Sequence, residues 1–273
     1  MSENSPKLWL KKFPKLTLES NKYTRGHAII IGGDIEHTGA ARMAATAALR
    51  IGAGLVTVAA PKTAIEVYAK LFTAIMVKSI GADFDEFIKD ERKNAFLIGP
   101  GTGVNANTKK MVLKFLKLNK NLVIDADAIT VFKNDPSKLF TAIKKSTGQT
   151  ILTPHEGEFA RIFSFTGTPG FRAQKAAKLS GATILLKGAK TIIATPDGKL
   201  SINNNAPPTL ATAGSGDVLA GMITGLLAQD MPVFEAASAA AWIHGEAANS
   251  FGYGLIAEDL LYLIPKILQK LLP

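Results

Sequence analysis

Short apolar segments, most of them followed by glycine, proline or aspartate, recur along much of the chain. Several are apolar at every position, which is typical of strands that helices bury on both faces. Helix-forming stretches lie between them, such as the alanine-rich residues 39–51. The strands predicted on this basis are 28–31, 55–58, 95–98, 122–124, 150–152, 183–186, 191–194 and 199–202. This alternation predicts an α/β fold with an open, mostly parallel sheet, whose ligands bind beyond the carboxyl ends of the strands.

The last third of the sequence is predicted to be helical, over residues 216–228, 233–249 and 257–271. Pro265 is expected to kink the final helix or to end its first part, because proline donates no backbone hydrogen bond. The composition shows no linker, low-complexity stretch or internal repeat. We therefore expect a single domain over residues 21–273, preceded by a basic N-terminal extension over residues 1–20.

The composition argues against several classes of function. The 273 residues carry 32 basic and 22 acidic side chains, a formal net charge of +10, but the lysines are dispersed. Aromatic residues make up 7% and do not interleave with the basic runs, so nucleic acid is not expected as a partner. The absence of cysteine excludes a disulfide framework, a thiolate zinc site and a cysteine nucleophile. No run resembles a membrane span or a signal peptide, and a cytoplasmic location is expected.

The segment from Ala211 to Asp217 combines small residues with two glycines directly before an apolar helix. The first N–H groups of a helix have no partner within it, and the helix dipole favours an anion beside them. Gly214, Ser215 and Gly216 are therefore predicted to form an anion hole for a phosphoryl group. Asp217 has two interpretations: a routine helix-start carboxylate, or a base that takes the proton of an attacking hydroxyl. The dipole is expected to keep it ionised and weakly basic.

Two other strand ends carry polar residues whose roles stay open at this point. Lys187-Gly188 suits either a phosphate or adenosine contact or a tight turn between two strands. Asp125 and Asp127 follow another strand, and their spacing predicts that they share one face and sit close together. One of the two is expected to be structural and the other to order the substrate.

Taken together, the motifs resemble one family. Gly-Ser-Gly-Asp before a late helix resembles the Gly-Ala-Gly-Asp signature of ribokinase-like kinases. The whole set is similar to the ADP/ATP-dependent NAD(P)H-hydrate dehydratases of that superfamily, from about Tyr23 to about Glu246. The motifs are Gly32-Gly33 with Gly39-Ala40-Ala41, residues 48–56, Gly99-Pro100-Gly101-Thr102-Gly103, Asp125-Ala126-Asp127-Ala128, residues 153–158, Leu186-Lys187-Gly188-Ala189 and residues 210–221. The resemblance implies a ribokinase-like three-layer α/β/α sandwich with a central mostly parallel sheet and no separate lid domain.

The resemblance also implies an activity, a hydro-lyase reaction that repairs hydrated NADH and NADPH (NADHX and NADPHX). Members phosphorylate the ring hydroxyl with ADP or ATP, bacterial relatives usually favouring ADP, and phosphate then leaves. Magnesium, a homotetramer and a stand-alone dehydratase domain are further expectations. Asp217 matches the family's base, and the residues that match nucleotide-binding positions are Lys187, Gly188, Ala189, Lys190, Thr191 and Gly216. Those that match positions lining the dinucleotide pocket are Ala40, Gly103, His155 and Asp217.

His155 has a second interpretation, because a histidine at a helix start is more often a capping or packing residue. The acidic residues Glu156 and Glu158 that follow it also suit the positive end of a helix. The spacing of His155 and Glu158 resembles the Asn-x-x-Glu of other ribokinase-like kinases, which implies an indirect role for Glu158 in placing magnesium.

Two alternative functions are considered for the same motifs. A small-molecule kinase of the hydroxymethylpyrimidine or hydroxyethylthiazole type would keep the anion hole and would release a stable phosphorylated product. A nucleotide-binding module without catalysis is disfavoured, because a pure phosphate site gains nothing from the carboxylate of Asp217. The loop after Gly33 departs from the family by its acidic Asp34 and Glu36, which either meet ribose hydroxyls or are solvated. An acidic loop would disfavour a 2′-phosphate if it reached one, so the choice between NADHX and NADPHX stays open. The choice between ADP and ATP also stays open, because no residue settles it.

Overall fold

The apolar segments form one continuous sheet in the computed structural model, which describes residues 2–272. Its strands are β1 (Ser2–Glu3), β2 (His27–Ile31), β3 (Leu55–Ala60), β4 (Met76–Ser79), β5 (Ala95–Ile98), β6 (Asn121–Ile124), β7 (Thr150–Leu152), β8 (Thr183–Leu186), β9 (Thr191–Ala194) and β10 (Leu200–Asn203). Their order is β1-β10-β9-β8-β7-β6-β5-β2-β3-β4. The strands from β4 to β8 pair in parallel, whereas β9 pairs antiparallel with both β8 and β10. The predicted mostly parallel sheet is confirmed.

Helices cover both faces of the sheet. They are α1 (Pro6–Trp9), α2 (Thr38–Arg50), α3 (Ile65–Leu71), α4 (Phe84–Lys89), α5 (Ala106–Lys117), α6 (Asp127–Thr130), α7 (Pro136–Lys145), α8 (Glu156–Ile162), α9 (Pro169–Ser180), α10 (Ser215–Ala228), α11 (Val233–Phe251) and α12 (Ala257–Leu271). One layer contains α2 and α10–α12, and the other contains α4–α9. The predicted three-layer sandwich is therefore observed.

Successive residues of the central strands point into different cores, which explains why these strands are apolar throughout. In β2, Ala28 and Ile30 pack against the layer of α2 and α10–α12, while Ile29 and Ile31 pack against the opposite layer. In β8, Leu185 and its neighbour Leu186 divide between the two layers in the same way. Helices therefore bury both faces of these strands, and neither face is polar.

Two details of the predicted elements differ from the structure. β1 and β4 were absent from the predicted strands. β1 is only two residues long, and the sequence of β4, Met-Val-Lys-Ser, is half polar as an exposed edge strand allows. The suggestion that Pro265 ends the last helix is wrong, because α12 continues through it to Leu271. Buried Leu260, Ile264 and Ile267 hold α12 against the core, and this packing outweighs the backbone hydrogen bond that proline cannot donate.

The N-terminal segment packs on the domain at the other edge of the sheet from β4. β1 pairs in parallel with β10, and Trp9 is fully buried beside the rings of Phe13 and Trp242, at centroid distances of 5.8 and 5.9 Å. Asn4 donates from Nδ2 to the carbonyl oxygen of Ser238 at 2.7 Å. The domain boundary at residue 20 stays a prediction. Over residues 2–272, none of the helices combines the length and the apolar character needed to cross a bilayer.

The strand order reverses direction at one point, between β2 and β5. The chain first leaves β2 for β3 and β4, and then returns to place β5 on the other side of β2. In sheets of this kind, ligands bind beyond the carboxyl ends of the strands at such a switch point. The loops after β2, β5, β6, β7 and β8 all reach this edge, so the predicted site residues come together there.

Candidate active site

The first turn of α10 carries the residues of the predicted anion hole. Gly214 precedes the helix with a φ of +86°, and a Cβ at this position would lie 2.4 Å from Met43 Cε and 3.0 Å from Ala257 Cβ. Glycine is therefore required here both by conformation and by space. Within the described chain, the backbone N–H groups of Gly216 and Asp217 donate to no protein acceptor. Both N–H groups are thus available to an anion.

Asp217 lies in this first turn and is partly buried. Burial, followed by the negative charge of Asp125, raises the pKa of Asp217 to about 6, although the nearby Lys187 opposes the shift. This direction is opposite to the one expected from the helix dipole alone. The prediction of a weakly basic carboxylate is wrong, because desolvation and a second carboxylate outweigh the dipole. A carboxyl group with this pKa is a better proton acceptor than an ordinary aspartate.

Lys187 faces the anion hole from the end of β8. A Cβ built on Gly216 would lie 3.5 Å from Lys187 Nζ, so the ammonium group stands directly before the helix. Its Nζ donates to Asp125 Oδ1 at 2.8 Å and lies 3.9 Å from Glu158 Oε2. Burial by itself would lower the pKa of Lys187, but the charges of Asp125 and Glu158 outweigh that effect and the pKa is raised. Lys187 therefore supplies a fixed positive charge beside Asp217.

The two aspartates after β6 do not share a face, contrary to the expectation from their spacing. Between them Ala126 has a φ of +48°, a conformation that residues with a Cβ rarely adopt, and α6 starts at Asp127. Asp125 is directed to Lys187, whereas Asp127 Oδ2 accepts a hydrogen bond from the backbone N–H of Gly103 at 2.9 Å. One carboxylate thus belongs to the Lys187 side of the site and the other holds the glycine loop after β5. Which of them orders a substrate stays a prediction.

His155 caps α8. The ring Nδ1 of His155 accepts hydrogen bonds from the backbone N–H groups of Gly157 and Glu158, at 3.0 and 3.3 Å. The backbone N–H of His155 donates to Glu158 Oε2 at 2.9 Å. The capping interpretation is confirmed. The ring is also about half exposed, and a single parallel bridge places His155 beside Lys187. Its predicted contact with the dinucleotide is compatible with this position and stays a prediction.

Ala40 and Gly103 lie on the loops that follow β2 and β5. Ala40 is in the first turn of α2, and the N–H groups of Gly39 and Ala40 have no acceptor among residues 2–272. A Cβ on Gly33 would lie 2.2 Å from the carbonyl oxygen of Gly101, so the two loops pack directly on each other. α2 therefore presents a second set of unpaired N–H groups to the same edge of the sheet. A cavity of about 600 Å³ opens beyond these loops.

The remaining predicted nucleotide-binding residues form the connection between β8 and β9. Gly188, Ala189 and Lys190 are exposed in this turn, and Thr191 begins β9 with its side chain buried. The turn interpretation of this segment is therefore observed. Because the turn directly follows Lys187, it lies at the edge of the site where a nucleotide phosphate would approach, and its nucleotide contacts stay a prediction.

One side chain that contacts the candidate anion hole was not predicted from the sequence. His244, on α11, is buried and its Nε2 lies 3.3 Å from the hydroxyl oxygen of Ser215. Burial lowers the pKa of His244 to about 4, so the ring is neutral at physiological pH. The available signal was a histidine within an otherwise small and apolar helix, but only the fold places it behind Ser215.

Metal binding by the protein alone is not supported over the described range. Among residues 2–272, no group of three or more histidine, aspartate or glutamate side chains is arranged to hold a metal ion. Glu158 is buried, and atoms of His155 lie within 3.3 Å of each of its carboxylate oxygens. The indirect role of Glu158 in placing a metal stays a prediction.

Comparisons with known proteins agree with this geometry. The family model described as NAD(P)H-hydrate dehydratase matches residues 28–270. The ADP-dependent (S)-NAD(P)H-hydrate dehydratase of Neisseria meningitidis is 36% identical over 240 residues, covering 85% of this chain and 79% of that protein. The bifunctional NAD(P)H-hydrate repair enzyme of Moorella thermoacetica is 36% identical over 281 residues, covering 95% of this chain and 52% of the enzyme. The chain spans about half the length of such bifunctional relatives.

A solved structure is similar over the whole described fold. The ADP/ATP-dependent NAD(P)H-hydrate dehydratase from Bacillus subtilis, co-crystallised with ATP and Mg²⁺, superimposes with a TM-score of 0.85 at 26% identity. The match covers 99% of this chain and 98% of that one. The predicted ribokinase-like architecture without a separate lid domain is confirmed by this likeness.

Proposed function

This chain belongs to the NAD(P)H-hydrate dehydratase family, and from that premise we propose that it dehydrates NADHX and NADPHX with ADP as co-substrate. One arrangement supports the proposal most strongly. Asp217, with a pKa raised to about 6, shares the first turn of α10 with unpaired N–H groups and faces the charged Lys187. A proton acceptor, an anion hole and a cation thus converge on one point, as the transfer of a phosphoryl group to a hydroxyl requires.

In the first step, Asp217 accepts the proton of the ring hydroxyl while that oxygen attacks the terminal phosphorus of ADP. The bond from this phosphorus to the bridging oxygen breaks, and AMP leaves. The N–H groups of Gly216 and Asp217 stabilise the negative charge on the phosphoryl oxygens, and Lys187 neutralises charge from the other side. Most of the rate enhancement is expected from positioning the reacting groups, because phosphoryl transfer has a loose transition state.

In the second step, the ring nitrogen expels phosphate from the neighbouring carbon, and a proton leaves the next carbon to form the ring double bond. Phosphate is a far better leaving group than hydroxide, which explains why a dehydration reaction uses a kinase-like site. The net products are reduced nicotinamide nucleotide, AMP and phosphate, so the nucleotide co-substrate is consumed once for each water removed.

The two substrates occupy different parts of the strand edge in this proposal. The nucleotide contacts Lys187, Gly188, Ala189, Lys190, Thr191 and Gly216, which surround the anion hole and the following turn. The dinucleotide contacts Ala40, Gly103 and His155, with its reacting ring at Asp217. The unpaired N–H groups at the start of α2 support this placement, because they suit the pyrophosphate of a dinucleotide.

We propose that magnesium is held chiefly by phosphate oxygens and water, as it usually is in proteins. The carboxylate arrangement fits this view, since both oxygens of Glu158 are already close to His155 and Asp125 is paired with Lys187. Glu158 would then order water rather than bind the ion directly. Bound magnesium would supply charge neutralisation on the phosphates.

A homotetramer is also proposed, and exposed apolar side chains support self-association. Around the connection between α11 and α12 lie Phe251, Tyr253, Ile256 and Tyr262, each at least 47% exposed. Light scattering coupled to size exclusion tests the assembly, and a monomeric mass would refute it. The cytoplasmic location stays a prediction.

The dehydratase is tested by mixing the protein with purified NADHX or NADPHX, magnesium and ADP, and then with ATP in place of ADP. We expect the near-ultraviolet absorbance of reduced nicotinamide to return, with one phosphate released for each reduced nucleotide restored. Omission of nucleotide should abolish the return. A stable phosphorylated product without phosphate release would instead indicate the small-molecule kinase.

A further inference from the structure

The cavity beyond the loops of β2 and β5 is lined by none of the anion-hole residues. Its lining includes Gly33 and Gly103 together with the apolar side chains of Ile80, Phe84 and Met111. The two places are neighbours along the strand edge, because Lys187 Nζ contacts Asp125, which follows β6, and β6 pairs with β5. A ligand that occupies both places lies extended along the strand edge.

A dinucleotide has that shape, because its two nucleosides are joined by a pyrophosphate. If the nicotinamide ring lay at Asp217, the unpaired N–H groups of Gly39 and Ala40 at the start of α2 would suit the pyrophosphate. The adenosine half would then enter the cavity, whose apolar lining suits a purine ring. The cavity volume of about 600 Å³ is of the size that small-molecule sites have.

Four of the charged side chains that line the cavity form two pairs: Asp34 accepts a hydrogen bond from His37, and Lys114 donates to Asp85. The carboxylate of Asp127 is held by the backbone N–H of Gly103. Lys110 lines the same cavity from α5, one turn before Lys114, and has no acidic oxygen within 4.0 Å among residues 2–272. Of the two lysines that line the cavity, it is therefore the one without an ion-pair partner in the described chain.

We propose that this cavity holds the adenosine half of the hydrated dinucleotide and that Lys110 contacts its 2′-phosphate, so that the protein favours NADPHX over NADHX. This inference rests on the proposed function and names the substrate form that the same site prefers. A 2′-phosphate carries the negative charge that a lysine lacking a carboxylate partner binds, whereas the ribose 2′-hydroxyl of NADHX gains little from it.

The kinetic test compares both hydrates in the wild-type protein and in Lys110→Ala. We expect kcat/KM for NADPHX to fall about tenfold in the variant, mainly through KM, and that for NADHX to fall less than twofold. Lys117→Ala is the matched control, because Lys117 is on the same helix but lines a different surface depression beside α7. Equal losses for the two hydrates, or no loss for either, would overturn the assignment of Lys110.

A binding measurement separates this inference from the proposed function. Calorimetry with saturating ADP compares adenosine 2′,5′-bisphosphate with 5′-AMP as probes of the cavity. We expect the bisphosphate to bind more tightly to the wild type, and Lys110→Ala to remove most of that difference. This result would support the cavity assignment even if neither hydrate were dehydrated. Equal binding of the bisphosphate to wild type and variant would refute the inference even if the protein proved to be a dehydratase.

Discussion

Asp217 shows how its surroundings change the chemistry of a single residue. At a helix start it would ordinarily be a stabilised carboxylate, yet burial and the charge of Asp125 raise its pKa to about 6. Lys187, held by Asp125, limits that rise and keeps a positive charge at the site. The same two neighbours thus set the pKa of Asp217 and fix the positive charge beside it.

The pKa of Asp217 predicts a pH dependence. Only the ionised carboxylate accepts a proton, so kcat/KM should be low at acidic pH, rise through about pH 6 and then level off. A pH–rate profile of dehydration measures this directly. A rate that is flat from pH 5 to pH 8 would contradict the assignment, because the group would then be fully ionised throughout that range.

Asp217→Asn should lower kcat by about 10²- to 10⁴-fold, because the amide cannot accept the hydroxyl proton. Binding of ADP should be retained, since the variant removes a negative charge and leaves the N–H groups of α10 in place. Asp230→Asn, at an exposed position two residues after α10, is the matched control and should keep the wild-type rate. If Asp217→Asn also kept that rate, the carboxylate would be only a helix-start residue.

At the scale of elements, the contact between α2 and α10 positions the site. A Cβ on Gly221 would lie 2.2 Å from the carbonyl oxygen of Ala44, and one on Gly225 would lie 2.6 Å from that of Ala48. The two helices therefore approach backbone to backbone, and both sequences advance in the same direction along the contact. Parallel packing brings both N-termini to the same edge of the sheet, where each presents unpaired N–H groups.

Gly221→Ala should destabilise the protein by about 1–3 kcal/mol, because the added methyl group collides with the backbone of α2. Denaturant unfolding should show a lower midpoint with an unchanged slope. Gly170→Ala on α9 is the control, since its Cβ would meet only Leu200 at 3.6 Å, an ordinary contact. That variant should be as stable as the wild type or slightly more so. Equal stability of Gly221→Ala and wild type would refute the tight helix contact.

At the scale of the whole molecule, the N-terminal segment joins the far edge of the sheet to the layer of α11. β1 extends the sheet beside β10, and Trp9 fills a fully buried position against Trp242 of α11. The basic side chains of this segment, including Lys7, Lys11 and Lys12, are exposed. The segment therefore contributes to the core through a few residues while its charges remain in solvent.

Trp9→Ala should cost about 3–5 kcal/mol of folding free energy, because it empties a buried position of large volume. Trp9→Phe should cost much less, since the indole nitrogen has no hydrogen-bond partner within the described chain. Leu18→Ala, at a fully exposed position of the same region, should be neutral. Thermal and denaturant unfolding measure all three variants. A neutral Trp9→Ala would mean that this segment does not pack on the domain.

Much of the fold could be predicted from the sequence, and so could many of the residues that meet at the candidate site, because both depend on local chemistry. Strands buried on both faces must be apolar throughout, so their sequences indicated a parallel sheet between helices. A glycine-rich turn before a helix leaves unpaired N–H groups that suit an anion, so Gly214 and Gly216 pointed to the candidate phosphoryl site. β4 escaped prediction because an exposed edge strand carries polar residues and has no distinctive pattern.

Tertiary structure alone decided how these parts act on one another. Two contacts join segments that are distant in sequence: Lys187 with Asp125, and His244 with Ser215. The divergence of Asp125 and Asp127 depends on the unusual backbone angle of Ala126. The pKa of Asp217 depends on burial and on charges from other strands, which no local pattern encodes. The sequence by itself determined which groups this protein can use; the packing of the sheet and of α2 on α10 decided their distances, solvation and charge, because these depend on contacts between segments far apart in the chain.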